Sequence, residues 1–483
     1  MNTEKKLKKT DFSEWYNRII YEADLVDIRV NIKGFLVHKP WSMLCIREIY
    51  RLYEKELEKT GHMPTLFPIV IPESNIKKES EHIKGFQDEV FWITHQGKER
   101  MEEKLCLRPT SETIIYPMFS LWIRSYKDLP LKIYQSCAVY RAETKATKPL
   151  IRGREFLWIE AHDAFASMED SEKQIIEDME IAERVIHQEL CIPFILLRRP
   201  EWDKFPGAES TFAFDTIMPD GKILQIATTH LLAQNFSKPF DIKFTKEDGK
   251  EEYVYQTCYG PGIWRIFAAL ISLHGDDRGL IFPFKVAPIQ VIIVPIFYSE
   301  EEKSIVEKKC KNIEKVLKEN GIRVMVDTTE KTPGEKFYYW EMRGVPIRIE
   351  IGMKEIKSNT LTIHRREKNK RERIEEDSIL KRIEAIEIEI KEKLRNEAEK
   401  FFKSMISVAK TKEKLKEIIE KKGGLVKVGF CGSKRCAQEI KSETTAEVRG
   451  YEFASFERDK EDFCRCVWCG KKSKEVVYIG KSY

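Results

Sequence analysis

Nowhere does the chain contain the ~20 consecutive apolar residues that a membrane-spanning helix needs. Its greasiest stretch, residues 288–297, is short and reads as a buried strand. The N-terminus is basic at Lys5, Lys6, Lys8 and Lys9 but has no apolar core behind it, so no secretory signal is expected there. Charge of one sign is not in excess. The 84 basic and 79 acidic residues leave a formal net charge of +5, so a polyanionic partner would be held by local patches rather than by a global field. Internal repeats are missing. Cysteine is thin over most of the chain: Cys45, Cys106, Cys137, Cys191, Cys258 and Cys310 stand singly, and the other five of the eleven fall within Cys431 to Tyr483. That distribution fits a reduced, cytoplasmic protein with one metal site, not a disulfide framework.

What is present is a soluble globular pattern, 34% charged and 42% hydrophobic, over 483 residues, long enough for two to four domains. The densest stretch of ionisable and aromatic residues runs from Arg141 to Phe165. Residues 132–140 and 155–159 read as antiparallel strands joined by a loop bearing Thr144, Lys145, Thr147, Lys148 and Pro149. This hairpin would gather Arg141, Glu143, Arg152, Trp158, Glu160 and His162 around one patch. An Arg closing a strand beside a basic loop suits a carboxylate or phosphate, because its planar fork donates in pairs. By composition alone, a surface hairpin with ordinary salt bridges would look the same.

Upstream, Ser42 is expected to cap a helix with the apolar stripe Ile46, Ile49, Tyr50, Tyr53 and Leu57, stopped by Gly61. A Pro-bearing strand over 65–72 follows, as at an edge or interface. Helix and strand together suit a dimer-forming unit or intrachain packing. Residues 73–100 read as polar loop, with Phe86, Phe91 and Trp92 unusually large for that setting. Residues 105–112 read as a strand entering a buried helix capped by Thr110 or Ser111, where Glu112 would at least complement the helix dipole. Beyond the hairpin come a surface helix over 167–190 and strands at 208–214, 223–229, 240–244 and 253–259. A short helix near 231–235 is also expected. Gly260-Pro261-Gly262 then leads into an apolar helix, residues 266–273. Arg265 in the first turn of such a helix opposes the dipole and calls for an anionic partner. A small α/β unit starts at Ala287, and residues 366–422 read as a Lys/Glu-rich helical connector before a compact cysteine-bearing end.

Together these pieces resemble a class II aminoacyl-tRNA synthetase, and within that class the prolyl-tRNA synthetases of archaeal and eukaryotic type. The resemblance covers nearly the whole chain. It rests on residues 42–60 with Pro68; on Arg141-x-Glu143, a loop, and Arg152-x-x-x-Phe156; and on Gly260-x-Gly262-x-x-Arg265. The prolyl branch is marked by Arg108-Pro109-Thr110-Ser111-Glu112, Gln225-x-x-Thr228-x-His230, Thr257-Cys258-Tyr259-Gly260 and His274-Gly275-Asp276. The fold implied is α+β and α/β, multidomain. A class II antiparallel sheet flanked by helices would span 1–286, and an α/β anticodon-binding domain 287–372. A helical connector with a small zinc-binding α+β domain would span 373–483.

The activity implied is proline–tRNA ligation: ATP with Mg²⁺ activates L-proline to prolyl-adenylate, and the prolyl group passes to the terminal adenosine of tRNA(Pro). That step needs alignment and charge neutralisation more than a base. The resemblance assigns Arg141 to the proline carboxylate and α-phosphate, Glu143 to the adenine amino group, and Phe156 with Arg265 to the two faces of the ring. Arg152 and Arg265 would reach the γ-phosphate, with Gln225 and Thr228 on the ribose and purine side; Arg141 and Arg265 are the catalytic pair. Proline, a small ring with a secondary ammonium, would have walls from Trp158, Phe86 and Phe205. Its polar contacts would come from Thr110, Glu112, Glu160, His162, His230 and Cys258, with Glu112 first for the ammonium, since an unpaired buried ammonium is costly. His162 and Phe205 would equally suit a core.

Trp340-Glu341-x-x-Gly344-Val345-Pro346-x-Arg348-x-Glu350 resembles the anticodon-binding domain of this class. It implies that Glu341, Arg348 and Glu355 read unstacked bases, though each could be a solvated charge. Cys431-x₄-Cys436 and Cys466-x₂-Cys469 imply one structural, tetrahedral Zn²⁺, with Cys464 competing for the place of Cys466. The terminal Tyr483 is implied to pack toward the catalytic domain, and a homodimer to form through residues 42–72, without a membrane. The elements already named fill the interval from Arg141 to Arg265, leaving no room for an inserted editing domain, so hydrolysis of mischarged alanyl-tRNA is not expected. Leu231, Ala233 and Trp264 depart from the pattern. A threonyl enzyme would need a Cys/His/His zinc set in the catalytic half, which the sequence does not assemble.

Overall fold

The computed structural model describes residues 8–78, 90–452 and 463–483, so Phe86, assigned above to the proline pocket, lies outside the described residues. One large sheet draws on both ends of the chain. Its strand order is Ile406–Val408, Leu425–Phe430, Glu475–Gly480, Glu447–Glu452, Ile195–Arg198, Ser210–Ile217, Ile223–Ala233, Tyr255–Pro261, Glu155–Phe165, Leu131–Tyr140 and Met63–Pro64. From Glu447–Glu452 to Leu131–Tyr140 every pairing is antiparallel.

The central hairpin pairs Leu131 with Ala164 and Tyr140 with Glu155. Its second strand alternates as the pleat demands. Phe156, Trp158, Glu160 and His162 share the cavity face, while Leu157, Ile159 and Ala161 join the main core. The helix Ile263–His274 and the helix Pro40–Lys59 fill that core from behind. On the neighbouring strand, Gln225 and Thr228 are an odd number of residues apart and would face opposite sides of a regular strand. A bulge resolves this: Phe214 opposes Ala227 but Asp215 opposes Gln225, so Ile226 is extra and both side chains reach one cavity.

Several expectations are corrected. The helix of residues 40–59 starts at Pro40, whose missing N–H costs nothing in the first turn, with Lys39 rather than Ser42 at the cap position. The Pro-bearing strand at 65–72 divides into Met63–Pro64, beside Leu131–Tyr140, and Val70–Pro72, in a separate three-stranded sheet. Residues 92–107, read largely as loop, form a hairpin of Trp92–Gln96 and Glu99–Leu107 in that second sheet. The strand Ile223–Ala233 runs through the short helix expected near 231–235, and the 240–259 region carries Lys243–Thr245, Glu251–Tyr253 and Tyr255–Pro261.

The second unit is a five-stranded mixed sheet ordered Val324–Val326, Val291–Pro295, Ile347–Ile351, Thr360–Arg365, Lys370–Glu375, with helices Glu300–Glu319 and Pro333–Met342. Its last strand falls within the stretch expected to be a helical connector; Lys370-Arg371-Glu372-Arg373 is charge-rich, as an exposed edge strand is. The helix Ile379–Ser404 follows; from Ile379 to Leu394 its buried side belongs to this unit's core, whereas Phe402 packs with Ile195 and Tyr478. Among the described residues, no helix is long and apolar enough to cross a membrane.

Candidate active site

A cavity of about 530 Å³ opens on the face of the central sheet. Every described residue assigned above to ATP or proline lines it: Thr110, Glu112, Arg141, Glu143, Arg152, Phe156, Trp158, Glu160, His162, Phe205, Gln225, Thr228, His230, Cys258 and Arg265.

One end is cationic. Arg265 is half-buried, and desolvation followed by the nearby Arg152, Arg141 and Arg449 guanidiniums lowers its pKa to about 10. It is aimed by donating from Nε to the Ile151 carbonyl (3.2 Å) and from Nη1 to the Gln225 carbonyl (3.1 Å). Arg141 lies over the rings of Phe156 (5.3 Å) and Trp158 (5.7 Å) and donates from Nε to the Pro109 carbonyl. Arg152 donates to Glu143 (2.7 Å) and to the main-chain oxygen of Tyr483. Burial would raise the Glu143 carboxyl, but the Lys145 N–H and Arg152 outweigh it and hold it below its usual range. A cluster of guanidiniums around a cleft is suited to an anion. Neither Gly260 nor Gly262 takes left-handed backbone, and a Cβ at Gly260 would meet Trp158 at an ordinary 3.7 Å. The protein's own packing therefore does not require glycine at 260.

The other end is acidic and buried. Glu112 accepts from Thr110 Oγ1 (2.6 Å) and from the Cys258 thiol (3.6 Å). A carboxylate oxygen of Glu112, a ring nitrogen of His162 and Cys258 Sγ lie within 4.8 Å of one another, all buried. Burial, then the Glu112 charge, pushes the Cys258 thiol well above its ordinary value, so it stays protonated. His162 Nδ1 meets the Tyr116 hydroxyl (3.1 Å), while His162 Nε2 and Trp158 Nε1 are buried without a partner among the described residues. His230 pairs its Nδ1 with Thr211 Oγ1 (2.9 Å), meets the Phe205 ring at 4.5 Å with the planes tilted by 34°, and is lowered by burial to about 4, hence neutral. Glu160 sits in the wall but is heavily engaged: its carboxylate accepts from the Ser111 N–H (3.0 Å), the Ser111 hydroxyl (2.5 Å) and Gln135 Nε2 (2.8 Å). Ser111 thus spends its hydroxyl on Glu160 and makes no side-chain cap to its own helix, Glu112–Trp122.

Sequence reasoning missed Arg199, Thr211 and Arg449, which also line the cavity. Arg449 stands more than two hundred residues from Asp215, its partner, so no local pattern announces it. Two of the noted departures have local accounts. Ala233 sits at φ +49°, where glycine is at ease and alanine is strained. Trp264 packs edge-on against Gly153 and lies 5.0 Å from the His38 ring.

In the second unit, Arg348 lies 3.8 Å over the Phe337 ring and donates to Glu350 (2.9 and 3.1 Å). Glu341 is close to His364 (3.9 Å) and Arg278 (3.4 Å). Glu355 is drawn into its own helix start, accepting from the Gly352 N–H and the Thr362 hydroxyl, both at 3.1 Å. Tyr298 and Tyr338 of the same unit, unassigned from sequence, are 92% and 61% exposed. At the C-terminus the sulfurs of Cys431, Cys436, Cys466 and Cys469 gather within 4.8 Å, with Cys431 and Cys436 at 3.6 Å, and Cys464 is outside the group. Four thiols so placed fit a tetrahedral divalent metal.

The model of the class II tRNA synthetase core domain (G, H, P, S and T) matches residues 91–274, and that of the anticodon binding domain matches residues 290–386. Fold and cavity are thus those of a class II synthetase. The model of the prolyl-tRNA synthetase C-terminal domain matches residues 412–483. The proline–tRNA ligase of Thermofilum pendens is 53% identical over 478 residues, covering 99% of this chain and 98% of its own. That of Pyrococcus abyssi is 43% identical, covering 99% and 100%. The solved structure of Giardia lamblia prolyl-tRNA synthetase in complex with prolyl-adenylate superposes with a TM-score of 0.92 at 38% identity, over 99% of both chains. The chain belongs to the prolyl-tRNA synthetase family, ATP-dependent aminoacyl-tRNA ligases.

Proposed function

We propose that the cavity binds ATP at its arginine end and L-proline at its Glu112 end, joins them as prolyl-adenylate, and hands the prolyl group to tRNA(Pro). The single observation that carries this is one cavity with clustered guanidiniums at one end and a buried carboxylate between aromatic walls at the other. Arg141 sits between the two ends and bridges the attacking carboxylate and the α-phosphate, neutralising both so that in-line attack needs no general base. Phe156 and Arg265 sandwich the adenine, Glu143 accepts from its amino group, and Arg152 with Arg265 holds the γ-phosphate. Gln225 and Thr228 take the ribose and purine side. Mg²⁺, when bound with ATP, offsets the triphosphate charge.

The secondary ammonium of proline pairs with Glu112, supported by Thr110, His162 and Cys258, while Trp158, Phe205 and His230 enclose the ring. Glu160, already bonded by Ser111 and Gln135, acts by holding the Thr110–Glu112 turn. His230 contributes no charge, being neutral above about pH 4. Glu341 and Arg348, with the exposed Tyr298 and Tyr338, read anticodon bases; Glu355 shapes the surface beside them. The catalytic unit is assigned to residues 1–286, the anticodon reader to 287–372 and the connector with the zinc unit to 373–483. Cys431, Cys436, Cys466 and Cys469 hold one structural Zn²⁺. Exposed Ile28, Val30, Ile32, Leu44, Met63, Leu66 and Ile69 mark the face of a homodimer around residues 42–72. The enzyme works in the cytoplasm, where its tRNA substrate is.

Amino-acid-dependent exchange of pyrophosphate into ATP tests the reading. Exchange with proline is the expected result; exchange with threonine, or none with any amino acid, rejects it.

A further inference from the structure

The C-terminal unit reaches into the nucleotide end of the cavity through one side chain. Arg449 lies on the strand Glu447–Glu452, whose Tyr451 pairs with Arg198 of the catalytic sheet. That strand is bulged between Val448 and Gly450. Gly450 takes φ +130°, and a Cβ there would collide with the Arg198 carbonyl oxygen, so the bulge is fitted to this contact. Arg449 is buried at the junction and lines the same cavity as Arg265 and Arg199.

From there a continuous chain of hydrogen bonds runs to the ATP residues. Arg449 Nε and Nη2 donate to the two oxygens of Asp215, each at 3.0 Å. Asp215 Oδ1 also accepts from Arg199 Nη2 at 2.9 Å, and Arg199 donates to the Arg449 main-chain oxygen. Arg199 Nη2 reaches Gln225 Oε1 at 2.8 Å, and the Gln225 carbonyl accepts from Arg265 at 3.1 Å. Asp215 opposes Gln225 directly across the bulged pair of strands. The two buried guanidiniums share Asp215, and each has a second carboxylate at its outer side, Asp203 at 3.8 Å from Arg199 and Glu447 at 3.5 Å from Arg449. Without Asp215 the two would repel, and Gln225 would lose the donor that orients its amide.

We propose that Arg449, acting through Asp215 and Arg199, is a positioning residue for ATP, which makes the C-terminal unit a working part of the nucleotide site. This rests on the proline-activation reading given above. The sign of the Asp215 equilibrium agrees: burial would raise its carboxyl, and Arg199 and Arg449 overcome that and hold it below the usual range.

The test uses the full-length, zinc-loaded protein and the variants Arg449→Gln, Arg449→Lys and Asp215→Asn. Pyrophosphate exchange is measured with ATP and proline varied in turn, ATP affinity by calorimetry, and zinc content and Tm for each variant. Arg449→Gln should raise both KM and Kd for ATP about tenfold while KM for proline stays within about twofold, and Arg449→Lys should recover part of the loss. Asp215→Asn should act in the same direction. An unchanged KM for ATP in a folded, zinc-replete Arg449→Gln protein overturns the proposal, as does an equal rise in both KM values. Should Arg449→Gln not fold, the same split in the other two variants decides. Wild-type protein inert with proline would instead refute the functional reading.

Discussion

At the scale of single residues, similar side chains carry different duties, and only their partners reveal which. Glu112 and Glu160 are both buried carboxylates in the same wall. Glu160 is engaged by Ser111 and Gln135, whereas Glu112 meets Thr110 and a protonated thiol at the closed end of the cavity. Substituting Glu112→Gln removes the charge that a buried ammonium needs. It should raise KM for proline on the order of a hundredfold while leaving KM for ATP within about twofold, read from pyrophosphate exchange. Comparable losses for both substrates would place Glu112 in the scaffold instead. The sequence named these residues through motif spacing but could not separate a substrate contact from a brace, because that depends on Ser111 and Gln135, brought in from another helix start and another strand.

At the scale of elements, the strand Ile223–Ala233 carries most of what spacing alone misjudged. Its bulge at Ile226 turns Gln225 and Thr228 to one face, and its end at Ala233 needs left-handed backbone that an alanine adopts at a cost. Ala233→Gly should therefore stabilise the fold by about 0.5–1 kcal/mol, measured as a higher midpoint in denaturant; a lower midpoint would show that the alanine methyl outweighs the strain. Histidines on two strands and one helix end form a second, pH-dependent device. Burial lowers His38, His230 and His274 from 6.5 to about 4. A group with a depressed folded pKa contributes stability above its unfolded value and loses it as pH falls through the folded one. Stability should thus fall between about pH 6.5 and 4, by on the order of a few kcal/mol in all, read as a lower Tm. His62 opposes this: burial would lower it, but Asp163 outweighs burial and raises it, so its contribution is lost as pH rises. A flat Tm over pH 4–6.5 would contradict the balance of three histidines against one. The charged strand Lys370–Glu375 shows the converse limit, since its run of alternating Lys, Arg and Glu suits a solvated helix as well as an edge strand.

At the scale of the whole molecule, the continuity of the large sheet makes distant parts interdependent. The C-terminal unit joins the catalytic sheet through Glu447–Glu452 against Ile195–Arg198, and its four cysteines cluster within the same unit. Stripping zinc with a chelator, or substituting Cys436→Ser, should lower Tm and raise KM for ATP together. A lower Tm with unchanged ATP kinetics would confine the metal to local support. The exposed apolar residues around Met63, Leu66 and Ile69 predict a second dependence. Leu66→Glu should shift the protein toward monomer in sedimentation, and a wild-type protein that sediments as a monomer would exclude the dimer.

By itself the sequence determined the chemistry available: guanidiniums, carboxylates and aromatics at fixed spacings, the alternation that sends Phe156, Trp158, Glu160 and His162 to one face, and four cysteines in two close pairs. These are local, periodic or compositional signals, and backbone geometry carries them directly. Tertiary structure alone decided which partners each carboxylate meets, which strand bulges, and that Arg449 meets Asp215. Burial, hydrogen-bond satisfaction and charge compensation depend on which segments meet, and chain spacing does not encode that.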